Sequence, residues 1–185
     1  MLDFLKKHQQ QHTLKQMMDF PRVKKIENFA QVRTLGLVFT VGDEKHWNTL
    51  YHFTTEQVKQ GKQVWLAGFQ SAKTEINYIF SYAQTVICHE KEDINFFGIP
   101  RANILDNFLQ QHFDLVIDTT SEPNFFGQYV SLKALANLKV TFVDDSQPHE
   151  SNTERIFDLL IHGPRPMELG DYLNEVTRCL TLIKK

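Results

Sequence analysis

The chain has 185 residues, of which 42% are hydrophobic and 23% charged, and its formal net charge at pH 7 is -2. This length and composition predict one soluble globular domain, and the near-neutral charge gives no support to binding of nucleic acid or strongly acidic substrates. No apolar run reaches the length of a membrane span, and the N-terminus lacks the apolar core of a signal peptide, so we expect a cytoplasmic protein. Cys88 and Cys179 lie far apart in sequence and are predicted to be reduced, part-buried thiols.

Residues 1–34 are predicted to form a helical extension that precedes a single α/β domain at residues 35–185. The extension begins as a helix that we expect to end before Pro21, because a proline pushes the preceding residue out of the helical region. Association with a membrane surface through this basic segment is a minor alternative to packing on the domain or on a partner chain.

The pattern becomes regular at residues 35–41, LGLVFTV, a continuous apolar run typical of a strand buried on both faces. Asp43 is positioned to cap the helix that follows, and Gly61 to end it. A second strand is predicted at residues 63–69, so that strand, helix and strand form a crossover unit of a parallel sheet. The expected buried face of the helix comprises Trp47, Leu50, Tyr51, Thr54 and Val58.

The middle of the chain is less regular. Residues 72–84 are predicted to form a short helix, and residues 85–90 a third strand. Residues 95–101, NFFGIPR, indicate a loop with aromatic anchors and a glycine and proline turn signal. The helix after this loop is expected to bury Ile104, Leu105, Phe108 and Leu109.

The stretch from residue 113 to residue 143 is the most informative, because it predicts a fourth strand at 115–118, a helix and a fifth strand at 139–143. The expected buried residues of this helix are Phe126, Tyr129, Val130, Leu132 and Leu135.

The remaining segments predict an exposed polar loop at 144–154 and a sixth strand at 157–162. An amphipathic helix closes the chain, with apolar positions at Leu169, Leu173, Val176, Leu180 and Ile183.

These elements predict a Rossmann-like, three-layer α/β/α fold with a mostly parallel sheet of five or six strands. If the strand order is 3-2-1-4-5-6, strands one and four are neighbours, and ligands of such sheets bind beyond the carboxyl ends of the strands at the point where the order reverses. The candidate ligand-binding residues are therefore the polar side chains after these two strands: Thr40, Asp43, Asp118, Thr119, Thr120 and Ser121.

Asp118 is the sharpest single candidate in this set. An acid at the end of a buried strand can bind a ribose hydroxyl or a metal, or act as a base. It can also cap the next helix or accept hydrogen bonds from loop amides, and we favour that structural role because Asp, Thr and Ser are common at such turns.

Motifs of established chemistry are missing from the sequence. The turn after strand one, TVGDEKHW, has one glycine where a dinucleotide site wants several, and Asp43 and Glu44 would repel phosphate. There is no phosphate-binding P-loop and no glycine-flanked nucleophilic serine, and the histidines lack the spacing of a metal site. We therefore predict no cofactor and no metal, and lean against an enzyme. Arg165, between two prolines, could bind an anion, although a simple turn is the preferred interpretation.

The ordered segments resemble a family of small bacterial α/β proteins described as a domain of unknown function. The matching pieces are LGLVFTV (35–41), GKQVWLAGF (61–69), INFFGIP (94–100), FDLVIDTT (113–120), YVSLKALANLKV (129–140) and FDLLIH (157–162). This resemblance implies a three-layer α/β fold and no particular activity. The phrase FDLVIDTT with its following helix and strand is also similar to one half of the glycosyltransferases that transfer heptose.

The sequence leaves two functions open, and we favour the first because the sequence contains no catalytic motif. The first is a non-catalytic module that binds a protein partner or a second copy of itself. The alternative is an enzyme or sensor that binds a nucleotide or sugar in the crevice beyond strands one and four.

Overall fold

The computed structural model describes residues 2–18, 22–101, 103–120, 124–146, 152–163 and 167–183. Six strands form one sheet in the order β3-β2-β1-β4-β5-β6, and all of its neighbouring strands are parallel. The strands are β1 Thr34–Thr40, β2 Gln63–Gln70, β3 Thr85–His89, β4 His112–Asp118, β5 Leu135–Asp144 and β6 Leu159–Gly163. The predicted fold class and strand order are confirmed.

In the described part of the chain, one α-helix precedes the first strand and the other α-helices come after it. They are α1 Leu2–Met18, α2 Glu44–Lys59, α3 Glu90–Asp93, α4 Asp106–Leu109, α5 Phe125–Lys133, α6 Thr153–Ile156 and α7 Leu169–Thr181, with a 3-10 turn at Phe29–Gln31. None of the helices among the described residues is both long and apolar enough to cross a bilayer.

Both faces of the sheet are covered, which makes three layers. Leu35, Leu37 and Phe39 of β1 join the apolar cluster beneath α2 and α7, whereas Val38 joins the cluster beneath α1, α4 and α5. Successive side chains of a strand point to opposite faces, so a strand covered on both sides needs apolar residues at every position. This is the physical reason for the unbroken apolar run of β1.

The boundaries of α2 confirm the sequence prediction. Asp43 is its N-cap, where the carboxylate accepts a hydrogen bond from the His46 N–H at 2.8 Å. Gly61 follows the helix with a φ of +85°, a conformation that favours glycine. The prediction for Val58 is wrong, because this side chain is exposed and Gln57 is buried in its place.

The helix predicted at residues 72–84 is absent, and the segment is an irregular strap. Tyr78, Phe80 and Tyr82 pack against the cluster beneath α2 and α7. These aromatic residues recur at every second position, which is the period of an extended chain and not of a helix. Two backbone carbonyls hold the strap, because the Tyr78 hydroxyl donates to Gly42 O at 2.9 Å and the Tyr82 hydroxyl donates to Val64 O at 2.8 Å.

Three further boundaries differ from the prediction. Leu135 begins β5 and is exposed, because α5 ends at Lys133 with an extended residue after it. Phe96 and Phe97 are exposed and do not anchor their loop, whose turn is made by Gly98 at a φ of +84°. The segment predicted as an exposed loop at 144–154 includes the buried Asn152 and Thr153 and the start of α6, while residues 147–151 lie outside the described part.

The chain ends agree with the prediction in outline. Helix α1 packs against α5 and buries Leu14, and it ends at Met18, while Pro21 lies outside the described residues. Helix α7 buries Leu173, Val176 and Leu180, as the spacing predicts. Cys88 is a buried free thiol and Cys179 a half-buried one. The division of the chain at residue 34 stays a prediction.

Gly68 of β2 provides a test of the packing between the central strands. A Cβ at this position would lie 2.6 Å from both Phe39 Cζ and Ile87 Cδ1. We expect Gly68→Ala to lower the free energy of unfolding by about 1–3 kcal/mol through overpacking, measured by denaturant titration. The matched control is Gly170→Ala in α7, where the new Cβ would meet Thr49 at an ordinary 3.7 Å and stability should not fall. Equal stability of Gly68→Ala and the unsubstituted protein would contradict the close packing.

Candidate functional site

The strand order places the carboxyl ends of β1 and β4 side by side. Val38 of β1 is paired with Asp118, the last residue of β4. Thr119 extends this pairing, because both its N–H and its hydroxyl donate to Val38 O, at 2.7 and 3.0 Å. The hydroxyl of Thr119 is therefore used to join the two strands. The predicted neighbourhood of Thr40 and Asp118 follows from this register.

The carboxyl group of Asp118 is enclosed by the protein, with 3% of the residue exposed. Its Oδ1 accepts a hydrogen bond from the Thr120 N–H at 3.0 Å, and its backbone carbonyl accepts one from the Tyr172 hydroxyl at 3.0 Å. The carboxylate lies against the first turn of α5, where a Cβ on Gly127 would come within 2.9 Å of Oδ2. A glycine at this point lets the start of the helix approach the carboxylate.

Burial raises the pKa of Asp118 to about 6, and the hydrogen bonds from Thr120 offset part of this effect. Of the ion pairs among the described residues, none includes Asp118. The side chain is therefore ionised at neutral pH for most of the time, in a site that disfavours its charge. Such a group lowers the stability of the fold in its ionised form.

Asn124 links the two strand ends to α5. It is the N-cap of this helix, with its side-chain oxygen accepting the Gly127 N–H at 2.8 Å. Its side-chain nitrogen donates to the Thr40 hydroxyl at 3.3 Å. The half-buried Thr40, the buried Asp118 and Thr120 and the Asn124 amide thus converge at one edge of the sheet.

Asp43 and the helix that it caps lie next to the carboxyl end of β1. The Asp43 carboxylate is occupied by capping α2, and Glu44 adds a second negative charge to the same turn. His46 lies against Gly42, and its buried Nε2 has no hydrogen-bond partner among the described residues. Burial lowers the pKa of His46, with Asp43 opposing the effect, so the imidazole favours its neutral form.

The predicted site residues thus divide into two groups. Thr40, Asp118 and Thr120 lie together, whereas Thr119 and Asp43 are committed to strand pairing and helix capping. Ser121 and Arg165 lie outside the described residues.

Sequence reasoning missed Asn124 and Tyr172. Asn124 had a readable signal, since Asn is a favoured N-cap directly before an apolar helix. Tyr172 had none, because its hydroxyl reaches the Asp118 carbonyl across 54 residues of sequence.

The sequence analysis also missed a buried lysine. Lys139 of β5 is 1% exposed, and its Nζ donates to Leu132 O at 3.1 Å. Burial, with a smaller contribution from the nearby Arg22, lowers the pKa of Lys139 to about 7. A single lysine inside the apolar run KVTFV was the available signal.

The raised pKa of Asp118 predicts a dependence of stability on pH. The folded state holds the proton of Asp118 more tightly than the unfolded chain does. The contribution of Asp118 to the free energy of unfolding is therefore fully present below pH 4 and is lost as the pH rises to about 6. Asp118→Asn cannot ionise, and we expect it to exceed the unsubstituted protein in stability at pH 8 by up to about 3 kcal/mol, and by little at pH 4.

Thermal and denaturant unfolding at several pH values would measure this difference. Thr119→Val is the control, because it removes one hydroxyl hydrogen bond and should cost about 1 kcal/mol at every pH. A destabilised Asp118→Asn at pH 8 would mean that the carboxylate contributes a structural interaction that outweighs its burial.

Comparison with known proteins places these features in a family. No match was found among curated proteins. A family model described as a family of unknown function (DUF6913) matches residues 3–183, a span that includes every strand of the sheet as well as Asp118 and Lys139. The chain therefore belongs to this family of unknown function.

Proposed function

We propose that this protein binds a small hydroxylated ligand, of the sugar or nucleoside class, at the carboxyl ends of β1 and β4. The observation that carries this proposal is the buried carboxyl group of Asp118, which has a pKa of about 6 and is in no ion pair of the described residues. It stands where the strand order reverses, the position at which sheets of this kind bind ligands.

The energetic cost of Asp118 supports a role in binding. A buried carboxylate needs strong hydrogen-bond donors, and in the described part of the chain Thr120 supplies them. Hydroxyl groups of a ligand would add donors and favour the ionised form. Groups that lower stability without aiding the fold are typical of functional sites.

The surrounding charges select the class of ligand. Asp43 and Glu44 occupy the first turn of α2, the helix end that would otherwise attract an anion. Together with Asp118 they make the binding of a phosphate group unfavourable at this end of the sheet. An uncharged or cationic ligand is favoured, and the Thr40 hydroxyl and His46 Nε2 offer it further hydrogen-bonding groups.

The proposed activity is binding and not catalysis.

We infer the bacterial cytoplasm as its setting, since both cysteines are free thiols, which suits a reducing compartment. The similarity of residues 113–120 to the heptose-transferring enzymes stays a prediction.

A ligand screen tests the proposal. We expect sugars or nucleosides to raise the unfolding temperature, and nucleoside 5′-phosphates to do so less than the matching nucleosides. Asp118→Asn should weaken binding by roughly 10- to 100-fold in calorimetry, the effect of losing hydrogen bonds to a charged group. Asp171→Asn, an exposed acid of α7, is the matched control and should bind normally. Unchanged affinity in Asp118→Asn, or no stabilisation by either ligand class, would refute the proposal.

Self-association is the second candidate, and exposed apolar side chains favour it. Phe4 of α1 is 72% exposed and Phe96 is 63% exposed. The Gln10 side chain donates to Phe97 O at 2.8 Å, so α1 and the turn that carries Phe96 form one surface region. Exposed aromatic residues are enriched in protein interfaces.

Light scattering tests this second candidate. We expect a dimer that the double substitution Phe4→Ser and Phe96→Ser converts to a monomer, because the apolar surface available for association is removed. Ile79→Ser, which removes another exposed apolar side chain, should leave the dimer intact. A monomeric unsubstituted protein at high concentration would contradict self-association.

A further inference from the structure

A second candidate site lies at the opposite ends of the strands from Asp118. A cavity of about 910 Å³ opens at the amino ends of β4 and β5, where His112 and Leu135 begin these strands. Its walls are completed by the end of α1, residues 22–24, the end of α5 and α6. This volume lies within the range of sites that bind small organic molecules.

The charged side chains among the described lining residues are all basic. Its lining includes the cationic residues Arg22, Lys24, Lys133, Lys139 and Arg155, and no acidic side chain belongs to the described lining. Such a concentration of one sign of charge raises the local concentration of anions.

One carboxylate behind the wall neutralises part of this charge. Asp158 forms ion pairs with both Arg22 and Lys24, the latter at 2.9 Å, and also accepts the backbone N–H of Lys139 at 2.9 Å. Two cations thus share a single carboxylate, so this group retains a net positive charge. The positive charge of the cavity is not cancelled from behind.

Lys139 is the cation whose surroundings favour an anion most. Its ammonium group is buried and donates a hydrogen bond to Leu132 O. Arg22 and Lys24 disfavour its charge and Asp158 favours it, while burial is the largest influence and brings the pKa to about 7. His112, Lys133 and Arg155 also line the cavity, and none of them offers Lys139 a negative partner.

Apart from His112 and Asn137, the other described lining residues are apolar. Met17 and Met18 of α1, Leu132 of α5 and Ile156 of α6 contribute to the walls. A cavity with clustered cations and apolar walls is complementary to a molecule with an anionic head and an apolar body.

We propose that this cavity binds an organic anion that carries a carboxylate or phosphate head and an apolar body, with Lys139, Arg22 and Arg155 facing the head. This site is independent of the one at Asp118 and would remain if that site were refuted.

A proton should accompany the anion. At pH 8 the free Lys139 amine is mostly neutral, because its pKa is about 7. A negative charge beside it favours the ammonium form, so the amine takes up a proton from solvent on binding. At pH 5.5 Lys139 is already protonated, and uptake should vanish.

Calorimetry of the full chain with octanoate tests the site, because this carboxylate is fully ionised at pH 8. Titrations in buffers of different ionisation enthalpy should show uptake of roughly half a proton or more at pH 8 and almost none at pH 5.5. Acetate should bind at least roughly tenfold more weakly, since it cannot fill the apolar walls. Octyltrimethylammonium, with the same tail and the opposite charge, should not bind. Octyl phosphate serves as the arm for the phosphate head, and the tighter of the two octyl anions identifies the head group.

Two variants assign the effect to the cavity. Lys139→Met should abolish proton uptake, and circular dichroism would confirm that the variant folds. Arg155→Glu should weaken octanoate by roughly tenfold or more, whereas Lys91→Glu, the same change of charge at an exposed position of α3, should leave its affinity unchanged. Absence of saturable octanoate binding, binding without proton uptake at pH 8, or equal effects of Arg155→Glu and Lys91→Glu would overturn the proposal.

Discussion

The lateral pairing of β1 with β4 is the constraint on which the rest of the structure depends. The chain builds outward from β1 through β2 to β3, and then returns to the other side of β1 to place β4, β5 and β6. Thr119 extends this pairing past the end of β4 with two hydrogen bonds to Val38 O. The reversal leaves adjacent strand ends whose following helices lie on opposite faces, and it sets Asp118 between them.

The two proposed sites each contain a buried ionisable group, and the charges of these groups are opposite in sign. Asp118 ends β4, and burial raises its pKa. Lys139 of β5 lines the cavity at the amino ends of β4 and β5, and burial lowers its pKa. Each group is shifted toward its neutral form, so each lowers stability when it is charged. The surroundings also separate the two sites chemically, because Asp43 and Glu44 make the first site repel anions while the cations around Lys139 attract them. The two proposed sites would therefore take chemically different ligands.

Secondary structure could be predicted from the sequence where one local physical cause dominated. The continuous apolar runs predicted the buried strands, and Asp43 and Gly61 predicted the limits of α2. The prediction failed at residues 72–84, where alternating aromatic residues were interpreted as a helix although their period of two is that of an extended chain. Leu135 was assigned to α5 because an apolar residue near a helix end fits either element, and its pairing with β4 decides between them.

The sequence by itself determined the α/β class and the elements of the parallel sheet, because strand length, helix length and caps are properties of neighbouring residues. It also identified Asp118 as the residue at the end of a central strand. Tertiary structure decided what these residues experience: the Tyr172 hydroxyl on the Asp118 carbonyl, the contact of Gly127 with the carboxylate, and the burial of Lys139 beside Arg22. These contacts join residues far apart in the chain, and the pKa of a buried group depends on the charges and solvent that such contacts place around it or remove.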